Sequence, residues 1–176
     1  LLTTAQGQCI RFEVNDIRVF QGRNSVGVRG IKLDDDDKVI SMAILRHVDA
    51  TAEERSAFIK MSRAVAGEET DAGTDDEAVE AAALTQERYA EMGASEEVIL
   101  TLSANGYGKR TPLSEYRITG RGGLGIRNIQ PSDRNGPVVG ITHVADDNQV
   151  LIITKDGMVI RMAVAHYQFE AIHPFL

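Results

Sequence analysis

Residues 97–127 read EVILTLSANGYGKRTPLSEYRITGRGGLGIR. Val98, Ile99, Leu100 and Leu102 make a short apolar run that ends at Asn105-Gly106. That dipeptide is a strong hairpin signal, because glycine reaches positive φ without a steric penalty. Gly108-Lys109-Arg110-Thr111 then returns as a basic strand. A polar connection leads to a further strand over 116–119 and a glycine-rich turn from Gly120 to Gly125, and Gly125-Ile126-Arg127 opens the next strand. Strand, tight turn and returning strand form a unit, and units of this kind come in arrays.

Copies flank it. Upstream, residues 1–5 and 9–12 are strands around a Gln6-Gly7 turn. Residues 17–20 read as a third strand, Gly22 to Gly27 as a glycine-bounded turn, and 28–33 as an alternating strand. The charged loop 34–38 and the strand 39–45 close that copy, as 131–136 and 138–144 close the second. Downstream, 150–154, Asp156-Gly157 and 158–162 begin a third. Gly106 and Gly157 lie 51 residues apart, and Gly7 and Gly106 lie 99 apart, about one period once a 50-residue interruption is removed. In every copy an arginine follows the turn glycine by four: Gly7 and Arg11, Gly106 and Arg110, Gly157 and Arg161. The spacing predicts an all-β, propeller-like repeat of four-stranded blades, about two and a half of them, with a helical insertion. Its parts are a blade over 1–46, the insertion over 47–96, a blade over 97–147, the start of a third over 148–165 and a divergent tail over 166–176.

Charge divides the chain the same way. Residues 47–96 hold 13 of the 26 acidic and 4 of the 19 basic residues, a balance of -9; the rest holds 13 acidic and 15 basic, a balance of +2. Within the insertion, 49–54 carries a helix-start pattern with acids in the first turn. Phe58, Met61 and Val65 follow at helical spacing. Residues 67–76 predict an acidic, mobile loop, and 77–92 an Ala- and Glu-rich helix that stops at Gly93. The run DDDDK at 34–38 lacks the spaced carboxylates and glycine of a calcium loop and reads as a solvated turn.

No feature of the sequence builds a catalytic centre. Gly120 to Gly125 matches G-x-G-x-x-G, but alternating Ile126, Asn128 and Ile129 follow and then Pro131, so no helix opens there to meet a pyrophosphate. His47, His143, His166 and His173 have no metal-ligand spacing. The single cysteine, Cys9, excludes an internal disulfide and reads as a small strand residue, fitting a reducing cytoplasm. Apolar runs stay well below the ~18 residues of a membrane span, and the first residues show no signal peptide. They also lack an initiator Met, so the sequence reads as part of something longer.

The cations repeat with the strands. Arg11, Arg18, Arg23, Arg29, Lys109, Arg110, Arg117, Arg121, Arg127 and Arg161 fall at equivalent points of the copies. Stacked repeats turn equivalent positions into a line of charge, which follows a phosphate backbone without reading bases. Strand arginines simply in solvent are the other reading, and spacing alone leaves both open.

NGYGKRTPLSEYRITGRGGLGIRNI with VLIITKDGMVIRM resembles the C-terminal domain of the A subunit of bacterial DNA gyrase, over roughly 1–45 and 97–164. The resemblance implies a β-pinwheel, a ring of propeller-like blades that share strands with their neighbours. It implies sequence-independent binding and wrapping of double-stranded DNA, in support of ATP-dependent negative supercoiling by the whole enzyme in the bacterial cytoplasm. ATP, Mg²⁺, the B subunit of gyrase plus a second A subunit would belong to that whole; the chain itself would carry no catalytic residue, cofactor or metal. Arg11, Arg23, Arg29, Lys109, Arg110, Arg121, Arg127 and Arg161 are then the candidate DNA contacts. The family's QRRGGKG box is absent; residues 21–27 and 119–125 resemble degenerate versions of it, as in inner blades. The tail from 166 leaves the blade pattern. Two alternatives stand beside this reading. One is the related domain in the A subunit of topoisomerase IV; the other is a propeller-type protein-interaction module that contacts partners through the acidic insertion.

Overall fold

The computed structural model of the protein describes residues 1–46, 48–67, 84–166 and 173–174. By its contacts the chain divides into two units, Leu1–Leu45 with Glu97–Leu176, and Arg46–Glu96.

The larger unit is built of antiparallel strands. β1 (Leu2–Thr4), β2 (Gln8–Ile10) and β3 (Val39–Met42) come from the first copy. β4 (Val98–Ser103), β5 (Tyr107–Pro112), β6 (Ile126–Arg127) and β7 (Val138–Val144) come from the second. β8 (Gln149–Ile153), β9 (Val159–Ala163) and β10 (His173–Pro174) come from the third. They form two four-stranded sheets, ordered β3-β1-β2-β6 and β10-β5-β4-β7, and the hairpin β8-β9.

The fourth strand of each sheet belongs to the following copy. β6 pairs with β2 through Gln8↔Arg127 and Cys9↔Ile126, and β10 pairs with β5 through Tyr107↔Pro174 and Gly108↔His173. The register is the same in both, counted from Gly7 and Gly106. The tail that breaks the sequence pattern therefore supplies a strand at the equivalent place. Conversely, the strands expected over 17–20, 28–33 and 116–119 do not form; of these residues only Ile118 makes a single parallel bridge, to Arg11. Loop-to-loop bonds take up their backbone instead: Thr119 N to Arg11 O (2.9 Å), Gly122 N to Gly30 O (2.6 Å) and Lys32 N to Gly123 O (2.8 Å).

All three hairpins turn alike. The amides of Gly7, Gly106 and Gly157 bond the carbonyls of Thr4, Ser103 and Thr154 at 3.0, 3.1 and 3.0 Å, with φ of 79°, 75° and 82° at the glycines. This four-residue turn ends on a left-handed glycine, the place the hairpin signal Asn105-Gly106 gives to Gly106. A hydroxyl at its first residue selects it. Thr4 Oγ1 accepts from Gln8 N and Thr154 Oγ1 from Met158 N, while Ser103 Oγ donates to Tyr107 O.

β4 explains why its apolar run is nearly continuous. Ile99 packs with Cys9, Leu113 and Tyr116 towards the first hairpin, and Leu100 packs with Val144 and Val164 towards the third. Alternate residues of one strand thus enter two cores, so both faces must be apolar.

The second unit is a helix pair, α1 (Ala52–Ala66) and α2 (Gln86–Ser95). Thr51 and Glu54 form a full capping box on α1, which ends at Gly67 in the left-handed region. Thr85 caps α2 by accepting from Arg88 N. Phe58 and Tyr89 stack with ring centroids 5.1 Å apart. Arg88 ties the pair, donating to Glu54, to Glu91 and to the Asp49 carbonyl. α2 runs through Gly93, where the sequence predicts a stop; of the helix expected over 77–92, α2 supplies the part from Gln86, while 77–83 and, of the loop expected over 67–76, 68–76 lie outside the described residues.

Candidate nucleic-acid interface

The loop-to-loop bonds have a consequence for charge. They lay the second copy's glycine-rich loop, Gly120 to Gly125, against Gly30 and Lys32 of the first copy. The bonded segments and the residues next to them in the chain carry six exposed arginines, Arg18, Arg23 and Arg29 in the first copy and Arg117, Arg121 and Arg127 in the second. Glycine permits the approach. Gly122 and Gly125 have φ of 83° and 74°, and a Cβ on Gly125 would overlap the Cys9 carbonyl. Several of these side chains are oriented by their own fold. Arg121 donates from Nε to Asp16 O (2.9 Å) and from Nη1 to Arg29 O (3.1 Å). Arg127 donates to Gln130 Oε1, and Arg18 lies 4.7 Å over the Phe20 ring.

The remaining candidates sit elsewhere. Lys109 is half-buried, with Nζ 3.4 Å from Asn128 O. Arg11 is half-buried and donates from Nη1 to the carbonyls of Leu113 and Tyr116, each at 3.2 Å. Arg110 is 3% exposed; it bonds Val164 O at 3.1 Å and pairs with Asp146 at 2.8 Å. Arg161 is exposed and donates from Nε to Gln149 Oε1. The eight candidates therefore divide: four exposed arginines within 23–29 and 121–127, half-buried Lys109 beside the Asn128 carbonyl, and three arginines that follow the hairpin turns.

Arg134 joins them without a sequence forecast. It is exposed, its guanidinium 5.2 Å over the Tyr107 ring and its Nε 3.2 Å from Tyr107 Oη. Its loop reads as a plain turn, and the matching loop of the first copy carries aspartates, so periodicity gave no sign of it.

No group of three His, Cys, Asp or Glu among the described residues could hold a metal ion. Cys9 is buried beside Thr3 Oγ1 at 3.1 Å, and burial pushes its thiol up to about 11, leaving it protonated and inert at neutral pH. No helix among the described residues is long and apolar enough to cross a membrane.

A family model described as the DNA gyrase C-terminal domain, beta-propeller, matches residues 1–46, 97–143 and 148–169. The chain belongs to this family. The DNA gyrase A subunit of Granulibacter bethesdensis is 42% identical over 176 residues, spanning 92% of this chain and 19% of that protein. The one from Rickettsia bellii is 43% identical over 169 residues, spanning 92% of this chain and 18% of that protein. Among solved structures, the C-terminal domain of DNA topoisomerase IV superposes with a TM-score of 0.63 at 15% identity, covering 96% of this chain and 38% of that chain. The DNA gyrase A C-terminal domain gives 0.57 at 18%, covering 97% and 39%. These two likenesses concern the fold alone. The chain spans about a fifth of the length of the curated relatives, and it is at sequence level that the gyrase A subunit stands out.

Proposed function

We propose that the chain binds double-stranded DNA without sequence preference, as part of a gyrase A subunit whose holoenzyme wraps DNA and supercoils it at the expense of ATP. ATP, Mg²⁺, the B subunit of gyrase plus a second A subunit belong to that holoenzyme, in the bacterial cytoplasm, and the chain contributes no catalytic group. The observation that carries the reading is the glycine-rich loop Gly120 to Gly125 bonded against 29–32 of the first copy, which joins Arg121 to Arg29, with exposed Arg18, Arg23, Arg117 and Arg127 near them in the chain. Guanidinium groups held by backbone carbonyls and an aromatic face are pre-ordered for phosphate, and their repetition follows a backbone rather than a base sequence. Arg23, Arg29, Arg121 and Arg127 are the principal contacts, with Arg18, Arg117 and Arg134 as further exposed cations.

A gel shift over a salt series tests this. Replacing Arg23 and Arg29 together with alanine is expected to weaken binding equally on unrelated duplexes. It should reduce the slope of log K against log salt by roughly 0.9 for each phosphate no longer neutralised. An affinity indifferent to salt, or a double variant that binds with unchanged slope, would overturn it.

A further inference from the structure

The arginine four residues beyond each turn glycine repeats as regularly as any cation in the chain, yet in two of its three copies the side chain bonds carbonyls of the following copy. Arg11 follows the first hairpin and reaches into the second copy. There it meets the 3-10 turn Leu113–Glu115, donating to the carbonyl of that turn's first residue and to Tyr116 just beyond it. Arg110, on the second hairpin, reaches into the third copy and donates to Val164 O, the first carbonyl of the 3-10 turn Val164–His166. Both contacts span a seam between consecutive copies. At each, the turn's first side chain plugs the seam: Leu113 is 2% exposed and Val164 0%.

The two ends of the series show the halves of this arrangement apart. The first copy has the corresponding 3-10 turn, Val14–Asp16, and there Val14 is 70% exposed. The third hairpin has the corresponding arginine, Arg161, which is exposed and turned back onto Gln149 of its own hairpin. An uncovered turn and an uncovered arginine are complementary, and each lies where the established seams would continue.

We propose that Arg11, Arg110 and Arg161 are one series of seam-pinning arginines, and that Arg161 with the exposed face of β8-β9 docks the 3-10 turn of a further blade of this same fold. The partner is defined by its chemistry. It is a 3-10 turn opened by an aliphatic side chain that enters the apolar seam, with the carbonyl of that residue turned towards the guanidinium. Arginine suits the task because its rigid, many-donor guanidinium serves several acceptors at once, two carbonyls at Arg11 and a carbonyl with the Asp146 carboxylate at Arg110, which a lysine ammonium on a flexible stem does not reproduce. The three residues are positioning residues of the array, apart from the phosphate contacts, and this rests on family membership rather than on the DNA reading.

Thermal unfolding and the DNA salt series, run on the same variants, separate the two roles. In the 176-residue chain, Arg110→Ala is expected to lower Tm by about 3 °C or more, and Arg161→Ala to leave it unchanged. In the full-length protein carrying this chain, Arg161→Ala should lower the Tm of the blade region as Arg110→Ala does. In both settings the salt slope of DNA binding should stay that of the parent. Should Arg110→Ala not fold, Arg110→Lys keeps the charge and is expected to show the fall in Tm without a change of slope. A slope reduced by about one unit in Arg161→Ala, or full-length protein whose melting ignores that substitution, would overturn the proposal.

Discussion

At the scale of single residues, glycine does two jobs that look alike in the sequence. Gly106 and Gly157 end hairpin turns at positive φ, and Gly7 does so while also lying against the Ile129 carbonyl. Gly125, also at positive φ, lets β6 come down on β2, where any Cβ would strike the Cys9 carbonyl. The glycine-rich box is legible as a turn, but its true constraint is not, because only the fold says which strand lies beneath it. Gly125→Ala combines that clash with an unfavourable left-handed conformation, so a loss of stability above ~2 kcal/mol is expected in chemical denaturation. Gly140→Ala is the control: nothing lies within 4 Å of the added Cβ. Equal stability of the two variants would show that the strand approach imposes no such limit. Arginines are ambiguous in the sequence for a related reason. Periodicity marks Arg110 and Arg121 alike as repeated cations, whereas pairing with Asp146 and burial in a seam are long-range facts that no local pattern carries.

Secondary-structure elements divide along the same line. Hairpins are readable because turn glycine, alternation and apolar runs are local signals. The fourth strand of each sheet is not, since Ile126–Arg127 and His173–Pro174 are two residues long and owe their pairing to a neighbouring copy. α1 announces itself through Thr51 and Glu54, and the structure adds the tie from Arg88 to Glu54. The hydrogen bond from Arg88 holds the Glu54 carboxyl below the usual glutamate range. A carboxyl whose folded pKa is depressed contributes stability above its unfolded pKa and loses it as pH falls through the folded one. Helicity of the α1–α2 pair is therefore expected to persist through mildly acid pH and to decline below the ordinary glutamate range, followed by far-UV circular dichroism. Glu54→Gln should show less helix at neutral pH and a shallower acid transition; an acid profile identical to the parent would contradict the role given to Arg88.

For the molecule as a whole, the number of strands in each sheet sets what can associate. Two hairpins are completed to four strands by β3 or β7 on one side and by the next copy's strand on the other. The third, β8-β9, has two strands among the described residues, and Leu151 (58%), Ile153 (64%), Met158 (55%) and Val159 (57%) are exposed along it. Unpaired backbone donors and acceptors beside apolar side chains are a template for another strand. Blade arrays share this property, since each unit buries its faces against neighbours and a terminal unit must be capped or remain adhesive. The 176-residue chain is accordingly expected to self-associate as concentration rises, with an apparent Tm that moves with it. Sedimentation across a concentration series measures the first and calorimetry the second. Leu151→Lys with Ile153→Lys places charge on that hairpin without touching the Leu100, Val144 and Val164 core. The double variant should sediment as a monomer at concentrations where the parent associates, while keeping its DNA affinity or gaining slightly from the added cations. A parent chain that stays monomeric and melts at one temperature throughout would mean that the third hairpin is self-sufficient, and that stability in this array is held within blades rather than at the seams between them.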